Sequence, residues 1–189
     1  MIQIIPPRSE WRGEFQELGA RVRRYLNELA LRIDHIGSTS VADLPAKDVI
    51  DMQVTVEQLE PAVEAALMEA GFYRLTHIHC DHVPPGASSD PAQWTKWIFN
   101  ENPGGRRVNL HVRIAGRANQ RYAILFRDYL RAHPAAAQAY AQVKNALARY
   151  HPDNAQAYYD VKDPVCDIVM VAAEEWANSI GWNPGPSDA

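Results

Sequence analysis

Hydrophobic residues recur in the first part of the chain at the spacing of an amphipathic helix. Within 8–31 they occupy the positions Trp11, Phe15, Leu18, Val22, Tyr25, Leu26 and Leu29. Residues three and four positions apart share one face of a helix, so this spacing predicts a helix that buries one stripe. Ser9, which follows two prolines, is its predicted N-cap.

The same period predicts four further helices. One covers 57–70 and ends at a glycine, which favours the left-handed conformation that closes many helices. The others cover 118–132, 135–149 and 154–179, in a stretch rich in Ala, Tyr, Gln and Arg with breaks at Pro-containing sites. The C-terminal part of the chain is therefore predicted to be helical throughout.

Alternation of apolar and polar residues predicts strands between these helices. It is clearest in 48–56 and 106–114, where every second residue is Val, Ile, Leu or Met. Shorter strands are predicted at 32–36, 73–80 and 93–100, separated by connectors rich in Gly, Pro, Ser and Asp. Both long strands are expected to bury one face and to present polar side chains on the other.

This order of elements predicts an α+β fold, in which helices pack on one face of a mixed sheet and a helical segment follows. We expect a single domain over 1–181, with a strand-rich core over about 32–115 and a helical segment over about 117–180. The last residues, 182–189, are predicted to be a flexible tail.

Composition narrows the class of protein. The 189 residues carry a formal net charge of -4, so no bulk field favours nucleic acid or an anionic membrane. No apolar run approaches the roughly 20 residues that a membrane span needs. Cys80 and Cys166 have no CxxC spacing, and no signal peptide precedes them. These features favour a cytoplasmic protein with reduced thiols.

The two long strands predict a polar surface if they share one sheet. With the apolar residues of the first facing the core, Asp51 and Gln53 must face the opposite side. The second strand places Asn109, His111 and Arg113 on its polar side in the same way. We expect Asp51, Gln53, Asn109 and His111 to converge on one surface, the open face of the sheet, where Gln53 and Asn109 would contact a substrate.

A tight polar turn precedes this surface. Gly37-Ser38-Thr39-Ser40 offers hydroxyl groups and backbone N–H groups, a chemistry suited to holding phosphate. Lys47 lies near the mouth of the following strand, where a cation would meet that phosphate. A plain turn and a solvated lysine are the alternative interpretation.

Three stretches resemble the GrpB family, members of which are sometimes fused to dephospho-CoA kinase. They are "HIGSTSVADLPAKDVIDMQV", the "LHV" near Leu110 and "FRDYLRAHPAAAQAYAQVKNALA" from Phe126. The resemblance covers most of the chain. It implies a nucleotidyltransferase-like fold, with the Gly-Ser turn after the first strand and an acid on the next. The family commonly has a second histidine where this chain has Asn109.

The resemblance also implies a metal site, from which this sequence departs. Nucleotidyltransferases carry two carboxylates one residue apart after the turn, usually with a third on a neighbouring strand, and these hold two divalent ions. Asp51 matches the first acid and would hold Mg²⁺ or Mn²⁺, but Gln53 occupies the second position. One lost carboxylate removes about 4 kcal/mol for charges about 4 Å apart at an effective dielectric near 20, or roughly a thousandfold in rate.

Two functions therefore stay open from sequence. In the first, the chain binds a nucleoside triphosphate or related phosphate ligand and transfers a nucleotidyl group atypically, with Ser38 holding phosphate and His111 acting as general base. In the second, it is a catalytically degenerate domain that binds a protein partner or assists folding. The joint presence of Ser38, Lys47, Asp51 and His111 favours the first function, and Gln53 favours the second.

The motif "THIHCDH" offers zinc-ligating residue types. Strand alternation would place His77, His79 and Asp81 on one face and Cys80 and His82 on the other. This division, and a spacing that fits no structural zinc pattern, favours an ordinary solvated strand end.

Two further groups have weaker support. His35, His111 and Asp51 would supply the two-histidine, one-carboxylate set typical of ferrous iron sites, but composition alone connects them. Lys96 alternates with aromatic residues and would extend the positive rim begun by Lys47 towards a bound substrate, or would be an ordinary exposed lysine. Arg113, on the polar face of its strand, is a candidate for binding a triphosphate.

Overall fold

A computed structural model describes residues 1–189, which form five α-helices and five β-strands. In chain order they are α1 (Glu10–Leu26), β1 (Arg32–Ile36), β2 (Ile50–Val56), α2 (Pro61–Glu69), β3 (Phe72–Arg74), β4 (Trp97–Glu101), β5 (Val108–Ile114), α3 (Ala118–Ala132), α4 (Pro134–Tyr150) and α5 (Ala155–Ile180). None of these helices has the length and apolar character needed to cross a membrane.

The strands form one mixed sheet in the order β1-β2-β5-β4-β3. β2 and β5 run parallel at its centre, and the other neighbouring pairs are antiparallel. The predicted α+β class is confirmed. Parallel pairing of β2 and β5 requires the chain to cross the sheet between them, and α2, β3 and β4 occupy that crossover.

The predicted strands at 73–80 and 93–100 were too long. The segment between β3 and β4 is mostly irregular, with one isolated bridge between Cys80 and Thr95. Its many Pro, Gly and Asp residues favour turns over extended pairing. Ser9 holds the N-cap position of α1 as predicted, but it has helical backbone angles and its hydroxyl makes no capping hydrogen bond.

The main core lies between the sheet and the first two helices. α1 contributes Phe15 and Val22, both almost fully buried, and these pack with the apolar faces of β2 and β5, including Met52 and Leu110. α2 adds Leu67 to the same cluster. The alternation in the two long strands thus places their apolar residues as predicted.

The three C-terminal helices form a second layer. α3 crosses the opposite side of the sheet near β1, where Arg127 donates to the backbone oxygen of His35. α4 and α5 pack against α3 and enclose a smaller core that includes Leu130, Tyr140 and Cys166. This layer covers β1 and leaves a cavity over the polar faces of β2 and β5.

The predicted flexible tail makes defined contacts in the structure. The backbone N–H groups of Asp188 and Ala189 both donate to the Ile33 oxygen, at 3.0 and 3.1 Å. The Asp188 carboxylate also accepts from the buried Arg127 guanidinium at 2.6 Å. A buried arginine needs anionic partners to offset its desolvation, and this need was not apparent from the local sequence of the tail.

Candidate functional site

The register of the central strands brings the predicted polar residues together. β2 and β5 pair so that Asp51 is opposite Asn109 and Gln53 is opposite His111. The amide of Asn109 donates to Asp51 Oδ1 at 2.8 Å. The predicted convergence of these four side chains on one face is therefore confirmed.

The glycine turn lies directly against Asp51. Gly37 has a φ of 68°, and a Cβ built on it would lie less than 3.0 Å from three Asp51 side-chain atoms. Only glycine combines that positive φ with so close an approach. Two hydroxyl groups of the turn contact other parts of the protein. Ser40 Oγ donates to the Gly37 oxygen at 2.6 Å, and Thr39 Oγ1 lies 3.0 Å from the His35 ring.

A cavity of about 870 Å³ opens over the turn and the polar face. Every lysine of the chain lines it, although the far more numerous arginines are mostly elsewhere. These lysines are Lys47, Lys96, Lys144 and Lys162. Gly37, Ser38, Asp51, Asn109 and His111 also line the cavity. The volume is within the range that accommodates a small-molecule ligand.

Lys144, on α4, was not predicted as a site residue. Its side chain is buried, and Nζ donates to Ser38 Oγ at 2.7 Å and to the Pro45 oxygen at 2.6 Å. Burial, followed by the charge of Lys162, lowers the pKa of Lys144 to about 7. One signal pointed to it: Lys144 is four residues after Tyr140 and three before Leu147, on the apolar face of the helix.

Lys47 and Lys162 lie at the same end of the cavity. Lys47 Nζ donates to the Tyr159 hydroxyl at 3.1 Å and lies over the Tyr158 and Tyr159 rings, at 4.6 and 4.8 Å from their centres. Lys162 Nζ pairs with Asp163 at 3.1 Å. Burial raises the pKa of Asp51, whereas the Asn109 amide and the charges of Lys162 and Lys47 oppose that rise.

The donor set at Asp51 does not fit the divalent ions that the fold implies. No group of three or more His, Cys, Asp or Glu side chains is arranged to hold a metal. Asp51 is the only carboxylate on the polar faces of β2 and β5, and one of its oxygens accepts from Asn109. Its charged neighbours include Lys47 and Lys162. A pair of Mg²⁺ or Mn²⁺ ions needs several oxygen ligands and is repelled by ammonium groups.

Asp81 organises the other end of the cavity. Its carboxylate accepts from Arg113 Nε and Nη2 at 2.8 and 2.9 Å, from Lys96 Nζ at 2.6 Å and from the Asn119 amide at 3.0 Å. Although burial opposes ionisation, the charge of Arg113 and its hydrogen bonds hold the pKa of Asp81 well below its usual range. Lys96 and Arg113, predicted to bind substrate, are thus already paired with an internal anion.

Gln53, also predicted to bind substrate, is fully buried behind the cavity. Its oxygen accepts from Arg113 Nη1 at 2.6 Å, and its amide donates to the Gln120 oxygen of α3 at 3.0 Å. A carboxylate at this position could accept from Arg113 but could not donate to that backbone oxygen. Gln53 therefore joins the sheet to α3.

His111, the predicted general base, lines the cavity near Arg113 and Lys96. Burial, then the charges of Arg113 and Lys96, lower the pKa of His111 well below its ordinary value. Its Nδ1 atom is buried without a hydrogen-bond partner. A neutral imidazole of such low basicity is a poor proton acceptor near neutral pH.

The alternative histidine sites are not assembled. His35 lies on the apolar face of β1, stacked on Phe15 with ring centres 4.6 Å apart, away from Asp51 and His111. Burial lowers the pKa of His35 to about 3. His82 turns towards α5 and pairs with Asp167 at 2.8 Å.

The mixed sheet, the glycine turn and the acid on the following strand define a nucleotidyltransferase-like fold. Terminal uridylyl transferase 4 from Trypanosoma brucei, solved with bound dUTP, shares this fold with a TM-score of 0.50 at 11% identity, over 92% of this chain and 56% of that chain. The chain itself belongs to the GrpB family, whose model, described as GrpB protein, matches residues 1–171.

Family relatives show how this chain compares in length. The conserved protein GrpB from Enterococcus faecalis superposes with a TM-score of 0.73 at 26% identity, covering 92% of this chain and 99% of that one. A dephospho-CoA kinase from Mycolicibacterium paratuberculosis is 38% identical over an alignment of 197 residues, which covers 97% of this chain and 48% of that protein. The chain thus spans about half the length of the dephospho-CoA kinases it matches.

Proposed function

We propose that this protein binds a small phosphorylated ligand of the nucleotide class in the cavity above Gly37 and Ser38. The observation that carries the proposal is the concentration of every lysine of the chain around that cavity. Two of them are neutralised, Lys96 by Asp81 and Lys162 by Asp163. Lys47 and Lys144 form no ion pair with a carboxylate, so both amines are available to an anionic ligand.

The geometry supports binding better than ordinary nucleotidyl transfer. Two-metal transfer depends on carboxylates that hold both ions and on activation of the attacking hydroxyl. Here Asp51 is the only acid on the polar faces of β2 and β5, and Gln53 is committed to the contact with α3. The lysines would offset phosphate charge directly, with no requirement for a divalent ion.

A panel of ligands tests this function by thermal shift and calorimetry. ATP, UTP, dephospho-CoA and tripolyphosphate would each be added with and without Mg²⁺. A ligand at about a hundred times its dissociation constant adds about 2.7 kcal/mol, or about 5–10 °C in Tm for a chain of this size. Lys47→Met should weaken binding, whereas Arg149→Met, on the far end of α4, should not. No shift with any phosphorylated ligand would refute the proposal.

A second candidate function, protein binding, rests on a different observation. α5 exposes an apolar stripe of Val161, Pro164, Ile168 and Val171, with Ile168 70% exposed. We propose a kinase domain as its partner, because the dephospho-CoA kinase relatives are about twice the length of this chain. Analytical ultracentrifugation of this chain with a separate dephospho-CoA kinase domain tests it. Ile168→Glu should abolish any complex, and Tyr150→Glu, an exposed change on α4, should leave it intact.

A further inference from the structure

Lys144 is a buried amine without a counter-ion. The residue is 2% exposed. Its two hydrogen-bond acceptors, Ser38 Oγ and the Pro45 oxygen, are both uncharged. No carboxylate oxygen lies within the 4.0 Å that defines an ion pair. A buried ammonium group in such a setting is costly, because two neutral acceptors offset only part of its desolvation.

The groups around Lys144 do not supply the missing charge. They come from three parts of the fold: Tyr140 on α4, Lys162 and Cys166 on α5, and Lys47 and Asp51 at the start of β2. Lys162 and Lys47 disfavour a further positive charge, whereas Asp51 favours it from beyond ion-pair distance. Although burial opposes the charge of Lys162, the Asp163 carboxylate at 3.1 Å favours it, and the pKa of Lys162 lies well above its usual value.

We propose that binding of a phosphate group in this cavity is coupled to the uptake of one proton by Lys144. This inference rests on the proposed function and adds how the same site is regulated. The phosphate oxygens would provide the counter-ion that the amine lacks beside Ser38. Lys144 takes one proton from solvent, no covalent bond forms or breaks, and the bound state holds an ammonium–phosphate pair.

The direction of the pH dependence follows from linkage. In the free protein the pKa of Lys144 is about 7, and a bound phosphate raises it. Between the free and the bound pKa values, binding takes up a proton, so affinity falls as pH rises. The steepest dependence is tenfold in the dissociation constant per pH unit, the value for one whole proton. A ligand without phosphate should show no such dependence.

The test is calorimetry of tripolyphosphate at pH 8 in buffers with different ionisation enthalpies, compared between wild type and Lys144→Met. The slope of observed enthalpy against buffer enthalpy gives the protons taken up. Wild type should take up more protons than Lys144→Met, by between several tenths of a proton and one proton per bound ligand. Protonation of tripolyphosphate itself contributes equally with both proteins and therefore cancels in this comparison. Lys47→Met is the matched control, because it should weaken binding and retain the uptake.

A second measurement keeps the inference testable if Lys144→Met does not fold. With lysine labelled at Cε and Nζ, wild type gives only four lysine side-chain signals, all from the cavity. The signal of Lys144 should titrate near neutral pH in the free protein and at a higher pH with tripolyphosphate. Binding with an unchanged titration would overturn proton coupling and leave the proposed function intact. No binding at any pH from 6.5 to 8.5 would overturn both.

Discussion

Asp81 offers a sharp test of how the cavity is held together. Its carboxylate faces two buried cations, Arg113 and Lys96, which are only 5% and 7% exposed. Asp81→Asn keeps the size of the side chain and removes its charge. Removing one partner of a buried ion pair costs about 3–5 kcal/mol, because the remaining charge is left uncompensated. For a chain of this length we expect Tm to fall by about 6–20 °C.

Urea unfolding at pH 7 measures this loss, and a second substitution identifies its cause. Asp81→Asn/Lys96→Met removes one of the unpaired cations and should recover about 0.5–3 kcal/mol relative to Asp81→Asn alone. Asp153→Asn, at an exposed carboxylate, should change stability by less than about 0.5 kcal/mol. If Asp81→Asn costs no more than Asp153→Asn, Asp81 does not compensate these cations. Because the pKa of Asp81 is lowered by folding, its contribution is present above about pH 4 and is lost at lower pH.

Two further predictions concern the turn and the apolar face of β1. Gly37→Ala should lower stability by about 1–3 kcal/mol in urea unfolding, because of the positive φ and the contact with Asp51; Gly13→Ala, in α1 with open space around it, should be neutral or stabilising. His35, whose pKa folding lowers to about 3, takes up a proton on unfolding between about pH 3 and 6.5. Stability should therefore fall with decreasing pH in that window, by about 5 kcal/mol in total for this group. His35→Gln should make the measured dependence shallower by about one proton, and an unchanged slope would contradict the assignment.

Periodicity predicted the elements well where local sequence decides them. The helix predicted at 118–132 coincides with α3, and the strand predicted at 32–36 coincides with β1. Both have a continuous apolar pattern bounded by residues that favour turns. The irregular segment after β3 was missed because "RLTHIHC" alternates as a strand does. In the structure β3 ends at Arg74, and the turn-forming residues that follow keep the strand short.

In the candidate site, too, the residues placed by local pattern were predicted and those placed by tertiary contacts were not. Asp51, Gln53, Asn109 and His111 were placed on one face because strand alternation holds whatever the strands contact. Lys144 was missed because its role depends on α4 crossing the Gly37 turn, a tertiary contact between residues more than a hundred positions apart. The pairing of Arg113 with Asp81 was missed because it is also a tertiary contact, between residues 32 positions apart.

The proposed function gives one explanation for two departures from the nucleotidyltransferase pattern. These are the missing second acid and the presence of lysines at the glycine turn. Losing the second acid removes the means to hold two divalent ions, whose positive charge would offset that of the phosphates. Lys47 and Lys144 bring cationic or protonatable groups to the same turn without needing acidic ligands, and further carboxylates there would neutralise them. A lysine offsets phosphate charge as a point charge, yet it cannot polarise a hydroxyl as a bound metal ion does. Under the proposed function, lysines in place of acids would serve phosphate recognition without a metal-assisted step, so ligand affinity should be insensitive to Mg²⁺ and sensitive to the protonation of Lys144.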